Sequence, residues 1–265
     1  MVSNKKFDLT NKTIIITGSA GLLGSEYALG LSEAGANVVL ADLNIEKSKK
    51  LENIIKKKYN TTPLSIKVDV TNPKSIQNLI KKTLRKFKKI DVLVNNAILS
   101  EHGKFKKIKF ENYPLSLWNQ VIDVNLTGTF LCCQEIGKIM KRQKNGIIIN
   151  ISSIYGINGA DQRIYANTGI IKSAAYSVTK AAMINFTRYL AAYWNRSGIR
   201  VNTLSLGGVE EDQDKIFKKN YNAKTILGRM AKKNEFVAAL IFLSSDASSY
   251  MTGSNLVIDG GWSSW

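Results

Sequence analysis

The chain has 265 residues, 44% of them hydrophobic, with 38 Lys or Arg against 20 Asp or Glu and a formal net charge of +18. Length and apolar content are those of a globular protein able to bury a sizeable core. No apolar run approaches the ~20 residues that span a bilayer, and residues 1–8 lack the apolar core of a signal peptide, so a cytoplasmic protein without a membrane partner is expected.

Such a positive charge raises the question of nucleic acid. The basic residues are mostly lysines, gathered at 47–58, 81–89 and 104–109. In the second block Ile76, Leu79, Ile80, Leu84 and Phe87 form an apolar helical stripe, and Lys81, Lys82, Arg85, Lys86 and Lys89 largely cover the remaining surface. A solvated helix face accounts for them. Arginine is scarce and no nucleic-acid-binding motif is present, so no nucleic-acid partner is expected. A positive surface would instead attract a small anionic substrate. Cys132 and Cys133 are adjacent, which on a helix points them about 100° apart and disfavours a disulfide. The sole histidine, His102, completes no metal-ligand spacing, and no metal is expected.

In chain order, strand patterns at 13–17, 37–41, 65–68, 91–94, 147–151, 200–204 and 255–258 alternate with helical patterns at 22–33, 46–59, 75–87, 117–142 and 174–194. Further helical segments lie between the last two strands. This alternation implies right-handed crossovers and a parallel sheet of about seven strands covered on both faces. The expected fold class is α/β, a doubly wound sheet in one domain spanning 1–265. In such a sheet ligands bind at the carboxyl ends of the strands.

The first strand runs into Thr17-Gly18-Ser19-Ala20-Gly21-Leu22-Leu23-Gly24, a turn suited to bringing backbone N–H groups and a helix start against a pyrophosphate. Asp42 ends the second strand, where a carboxylate could meet ribose hydroxyls; its other reading is a cap for the next helix. It would repel a 2′-phosphate, and neither Ser19 nor Leu43 offers a cation, so NAD is expected rather than NADP. Asp69-Val70 and Asn95-Asn96-Ala97 follow the third and fourth strands, where simple turn chemistry is an equal reading. Ser153 closes the fifth strand and could donate to a substrate carbonyl.

Tyr176 and Lys180 are four residues apart on a helix, which places them on one face with Cβ atoms about 6 Å apart. An ammonium beside a phenol favours the phenolate and is expected to lower the Tyr176 pKa, making it a general acid or base. Tyr155 and Tyr165 have glycines rather than lysines four residues on.

Thr17-Gly18…Gly24, Asp42, Asp69, Asn95-Asn96-Ala97, Asn125, Ser153, Tyr176…Lys180, Arg200-Val201-Asn202 and Asp259-Gly260-Gly261, in that order, resemble the short-chain dehydrogenase/reductase family over nearly the whole chain. The resemblance implies an NAD(P)-binding Rossmann fold and a hydride exchanged between nicotinamide and a hydroxyl or carbonyl group. It gives Tyr176 the proton exchange with the substrate oxygen. Lys180 would lower the phenol pKa and hold the nicotinamide ribose, Ser153 would polarise the carbonyl, and Asn125 would anchor a relay water. Gly18, Ala20, Leu22 and Leu23 would line the pyrophosphate turn. Asp42 and Leu43 would stand at the adenosine ribose, Asp69 and Val70 at the adenine, Asn96 and Ala97 beside the ribose, and Val209 at the carboxamide. A homodimer or homotetramer is implied, as is substrate binding by segments at about 98–116, 154–173 and 207–230. The other reading is a catalytically silent homologue that binds dinucleotide as a sensor or scaffold.

Departures from the family pattern are Leu22 and Ile98 where glycine is usual, and Leu206 where proline is usual. Ser153 and Tyr176 are also farther apart than usual, implying an insertion at about 159–172 over the active site. That insertion, with Ile154-Tyr155-Gly156 and Gly261-Trp262, resembles a bacterial branch linked to surface-polysaccharide and flagellin-glycan sugar synthesis. A phosphorylated or nucleotide-linked sugar is then the expected substrate, its phosphate meeting Arg163, Lys172 or Lys224.

Overall fold

Seven apolar runs, too short and too β-branched for helices, pair into one all-parallel sheet. The computed structural model describes residues 4–99 and 107–265. Its strands are β1 (Thr13–Thr17), β2 (Asn37–Asp42), β3 (Leu64–Lys67), β4 (Val92–Asn95), β5 (Gly146–Ser153), β6 (Ile199–Leu206) and β7 (Asn255–Ile258), ordered β3-β2-β1-β4-β5-β6-β7. The helices are α1 (Leu22–Glu33), α2 (Ile45–Lys58), α3 (Pro73–Phe87), α4 (Leu115–Ile122), α5 (Gly128–Gln143), α6 (Ala174–Tyr193), α7 (Lys215–Asn222) and α8 (Val237–Ser244). Strand order reverses between β1 and β4, the switch point at which doubly wound sheets bind ligands.

Because side chains alternate along a strand, each central strand feeds two cores. Ile14, Ile16, Val38, Leu40, Val92 and Val94 pack with Tyr27 and Leu31 of α1 and Leu240 and Leu243 of α8. Ile15, Val39, Leu93, Ile148 and Val201 pack against Ile76 and Leu79 of α3, Cys132 and Ile136 of α5, and Leu190 of α6. Each large side chain buried this way contributes about 1.5–3 kcal/mol. Cys132 and Cys133 are free, buried thiols, and burial pushes the Cys132 pKa up to about 12. Among the described residues, no helix is long and apolar enough to cross a membrane.

The helix starts follow side-chain capping. Asn44 accepts from the Lys47 N–H at 3.0 Å to open α2, and Asn72 caps α3 with Pro73 in its first turn. The capping role considered for Asp42 therefore belongs to Asn44. A buried polar chain crosses the sheet's centre. Asn95 Nδ2 donates to Asn150 Oδ1 at 2.9 Å, Asn150 Nδ2 to Thr187 Oγ1 at 2.9 Å, and Thr203 Oγ1 to Thr187 Oγ1 at 2.7 Å. These bonds tie β4, β5, α6 and β6 together and satisfy both amide nitrogens, leaving Asn95 Oδ1 as a buried acceptor without a partner among the described residues. Arg200 and Asn202 of β6 both donate to the Met251 carbonyl, at 3.0 and 2.8 Å, and pin the turn that leads into β7.

One element differs from expectation. The single helix expected over 117–142 is α4 and α5 joined by a π-helical turn, Asp123–Thr127. Two bonds hold the widened turn. Asn125 Oδ1 accepts from the Leu99 N–H at 2.7 Å, and the Thr129 hydroxyl donates to the Asn125 carbonyl at 3.0 Å. Such turns disturb a helix locally where a side chain has work elsewhere.

Candidate active site

The carboxyl ends of β1 and β2 form the first half of the site. Gly18 has φ +65°, and a Cβ there would stand 2.8 Å from Ala97 Cα, so the turn approaches β4's exit too closely for any side chain. Thr17 Oγ1 accepts from the N–H groups of Asn96 and Ala97, both at 3.1 Å. Asn96 Nδ2 donates to the carbonyls of Thr17 and Gly18, at 3.1 and 3.0 Å. Asn96 and Ala97 thus brace the glycine turn. Leu22 opens α1 with no side chain capping the helix, which leaves its first N–H groups directed at the turn. The buried Ser19 hydroxyl has no hydrogen-bond partner among the described residues. Uncapped helix, glycine cradle and orphaned hydroxyl suit a dinucleotide pyrophosphate. Among the described residues, no group of His, Cys, Asp and Glu is arranged to hold a metal; His102 lies outside them.

Asp42 Oδ2 accepts from the Ala20 N–H at 2.9 Å and Oδ1 from the Asn44 N–H at 2.8 Å, fixing the carboxylate beside the turn. Leu43 next to it is exposed. Asp69 Oδ1 accepts from both the N–H and the hydroxyl of Thr71, at 2.9 and 2.7 Å, so its turn role is realised. Val70 packs against Gly128 at the start of α5.

The second half is a cleft of about 670 Å³ beyond the ends of β4, β5 and β6. Leu23, Asn96, Ser153, Tyr176, Lys180 and Val209 all line it. The other expected site residues, Gly18, Ala20, Leu22, Asp42, Leu43, Asp69, Val70, Ala97 and Asn125, do not. Tyr176 is carried into the cleft by the first turn of α6, whose N-cap Ser173 accepts from the Tyr176 N–H at 3.3 Å. Burial raises the phenol pKa, and the influence of Ser153, which pulls it down, is the smaller of the two. The expected fall in the Tyr176 pKa is therefore corrected to a rise. Lys180 lies one turn on, yet its Nζ donates to the Ile151 carbonyl at 2.8 Å and stands 5.7 Å from the centre of the Tyr176 ring. Burial and the nearby Lys172 bring the Lys180 pKa itself down to about 7. Beneath it, Ser152 Oγ donates to the Lys180 carbonyl at 2.7 Å, locking α6 to β5. Asn125 connects to α6 through Thr179, 3.5 Å from its Nδ2.

The outer wall is aromatic. Tyr155 and Tyr165, set aside in the sequence for want of a lysine, join hydroxyls at 2.8 Å, and Tyr155 meets Tyr176 edge-on with ring centres 6.4 Å apart. Tyr221 stacks on Trp262 at 4.5 Å and its hydroxyl accepts from the Gly208 N–H. The lengthened segment at 159–172 contributes Tyr165, Ile170, Ile171 and Lys172 to the cleft. Arg163 and Lys224 do not line it; both bind Asp161, whose carboxyl they hold well below the usual range. Their expected place at a substrate phosphate is thereby withdrawn. Of the three substituted motif positions, Leu22 opens α1, Ile98 lines the cleft, and Leu206 ends β6 in register with Ser153 and Ile258.

The family model described as "Enoyl-(Acyl carrier protein) reductase" matches residues 18–263. The chain is 32% identical over 255 residues to the "Post-translational flagellin modification protein A" of Campylobacter coli, covering 96% of this chain and 99% of that one. It superimposes on the gluconate 5-dehydrogenase of Burkholderia cenocepacia, solved with NADP and tartrate, with a TM-score of 0.88 at 30% identity over 98% of both chains. On a short-chain dehydrogenase of Leptospira borgpetersenii with bound NAD+, the TM-score is 0.84 at 35% identity, over 99% of this chain and 96% of that one. The chain belongs to the short-chain dehydrogenase/reductase family and is an oxidoreductase of CH–OH and C=O groups.

Proposed function

We propose that the protein is an NAD-dependent oxidoreductase that interconverts a hydroxyl and a carbonyl group on a small carbohydrate derivative. The observation that carries this reading is that Tyr176, Ser153 and Lys180, the last one helical turn from Tyr176, line the same cleft. The nicotinamide supplies or accepts the hydride. Tyr176 exchanges the accompanying proton with the substrate oxygen, and a phenol whose pKa burial raises starts as a proton donor at neutral pH. Ser153 orients and polarises that oxygen. Lys180 holds the nicotinamide ribose and supplies positive charge below the phenol, with Asn125 anchoring the relay water on α6's side.

For the dinucleotide, Gly18, Ala20, Leu22 and Leu23 receive the pyrophosphate. Asp42 and Leu43 lie at the adenosine ribose, Asp69 and Val70 at the adenine, Asn96 and Ala97 alongside, and Val209 at the carboxamide. NAD is preferred because the fixed Asp42 carboxylate would repel a 2′-phosphate. Relatives bind either cofactor, so this preference rests on Asp42. The carbohydrate class is supported by the name of the Burkholderia relative, a gluconate 5-dehydrogenase. Residues 98–99 and 107–116, 154–173 and 207–230 form the substrate-binding segments. Exposed Phe130, Tyr189 and Tyr193 on α5 and α6 support a homodimer or homotetramer, which light scattering would measure.

A screen of sugar phosphates, nucleotide sugars and neutral polyols with NAD+ and NADH, followed by nicotinamide absorbance, tests the reading. Turnover of a carbonyl or alcohol compound with NAD is expected. Tight NADH binding with no turnover across the screen would favour the silent sensor or scaffold instead.

A further inference from the structure

The lengthened segment before α6 brings a tyrosine to the cleft wall and fixes it there. Tyr165 ends a short helical turn, Gln162–Tyr165. The Thr168 hydroxyl donates to the Tyr165 carbonyl at 2.6 Å, and Asn220 Nδ2 of α7 donates to the Ile164 carbonyl at 3.2 Å. The Tyr165 ring packs on Phe217 of α7 with ring centres 5.2 Å apart. Tyr155 comes from the turn after β5, where Ser153 Oγ accepts from the Tyr155 N–H at 3.2 Å. Gly156 seats that turn against α6, since a Cβ there would stand 2.6 Å from the Lys180 carbonyl oxygen. Both tyrosines line the cleft, and their phenol oxygens meet at 2.8 Å beside the edge-on contact of Tyr155 with Tyr176.

Counting protons shows what this pair can still do. Burial raises both phenol pKa values, so each hydroxyl keeps its proton at neutral pH. The mutual bond uses one of the two protons. Among the described residues, neither hydroxyl makes another hydrogen bond. If Tyr165 donates, Tyr155 keeps a proton to give; if Tyr155 donates, its oxygen keeps a lone pair to receive. A hydroxyl group on a ligand suits either arrangement, because it both donates and accepts. A carboxylate, ether or ketone suits only one, and an apolar group leaves the pair's remaining capacity unmet. Two phenylalanines would serve packing alone.

We propose that Tyr155 is a specificity-determining residue that hydrogen-bonds a second hydroxyl group of the substrate, a few bonds from the carbon that Tyr176 serves, so that the cleft selects polyhydroxylated compounds over their deoxy analogues. This rests on the reading of the cleft as the place where an alcohol or carbonyl reacts. Tyr165 is the positioning residue: it acts through Tyr155, fixing the direction of that hydroxyl. The lengthened segment thereby serves specificity, by supplying Tyr165. A site built to bond a substrate hydroxyl rejects the analogue lacking it, because the site's own polar groups are then left unpaired.

The test is ligand-observed NMR titration of NADH-saturated protein with xylitol and, separately, with pentanol, a chain of the same length carrying one hydroxyl. The wild type is expected to bind xylitol. Tyr155→Phe should shift the ratio of the two affinities towards pentanol by about tenfold or more, the size of one hydrogen bond lost at a buried group. Tyr165→Phe should shift it the same way by less, and the double variant no further than Tyr155→Phe alone, because Tyr165 acts through Tyr155. A purely structural role for the pair would lower the melting temperature and weaken both probes alike. An unchanged ratio in a folded variant, or no binding of xylitol to the wild type, overturns the proposal. Should Tyr155→Phe fail to fold, the ratio in Tyr165→Phe decides alone. NADH affinity is measured in the same samples; its absence would count against the oxidoreductase reading, while the ratio of the two probes still decides this one.

Discussion

Lys180 is turned toward Ile151, donating from Nζ to the carbonyl oxygen of that residue at 2.8 Å, and not toward the phenol of Tyr176. The ammonium is buried with a single backbone acceptor, and its pKa falls to about 7. A lysine depressed in the folded state and near its ordinary value when unfolded makes stability rise with pH between those two values. Below pH 7 both states are protonated and the full penalty of burying the charge is present. Lys180→Met should therefore raise the melting temperature, without added nucleotide, and by more at pH 6 than at pH 9. Melting curves at the two values check this; a larger gain at pH 9 would contradict the assigned burial effect.

Tyr176→Phe removes the phenol hydroxyl and keeps the ring beside Lys172 and Tyr155. Turnover should fall by at least about a thousandfold, since proton exchange is lost along with the group's orientation of the substrate oxygen. NADH affinity, read by fluorescence quenching, should change less than about threefold. Substantial residual turnover would assign the proton to another group.

Asp42→Ser keeps a polar side chain beside the glycine turn and removes the negative charge on which the proposed NAD preference rests. The ratio of kcat/KM with NAD to that with NADP should drop about tenfold or more, equivalent to ~1.4 kcal/mol. Steady-state rates with both nucleotides decide the matter. An unchanged ratio would show that discrimination lies elsewhere.

At Gly24, inside the first turn of α1, a Cβ would lie 2.1 Å from the carbonyl oxygen of Gly18. Neither atom can step aside, because the oxygen is backbone and the backbone fixes where a Cβ stands. Gly24→Ala should destabilise the protein by about 1–3 kcal/mol, the usual cost of overpacking, and should weaken NADH binding in parallel. A variant as stable as the parent and binding NADH normally would mean that the turn is more yielding than its contacts imply.

Much of the architecture is legible from periodicity alone. Residues 13–17 and 22–33 have the same bounds in the sequence pattern and in β1 and α1, because a β-branched run, a glycine turn and a long apolar helix admit one reading. The strand ends are less clear: β5 and β6 continue to Ser153 and Leu206, past their apolar runs, where the buried Ser152 and Ser205 hydroxyls are satisfied by the Lys180 carbonyl and Asn255. Tyr176 and Lys180 are readable from their spacing. The sign of the Tyr176 pKa shift is not, since burial is a property of the whole cleft and spacing reports only neighbours. Tyr155 and Tyr165 escape for a similar reason: a helical partner search overlooks residues whose partners lie across a loop. The removal of Arg163 and Lys224 from the cleft depends on Asp161, an ion-pair choice between segments that sequence distance conceals.

The π-helical turn at Asp123–Thr127 changes the rotational phase between α4 and α5. Each α-helical residue advances about 100°, so regularising this turn by deleting one residue would rotate everything downstream relative to everything upstream. Asn125 could keep its bond to Leu99, or Cys132, Ile136 and Met140 could keep their burial against the sheet, but a regular helix could not satisfy both. The stretch is therefore less tolerant of length change than of substitution, and insertions or deletions compatible with folding should be confined to the loops before α4 and after α5.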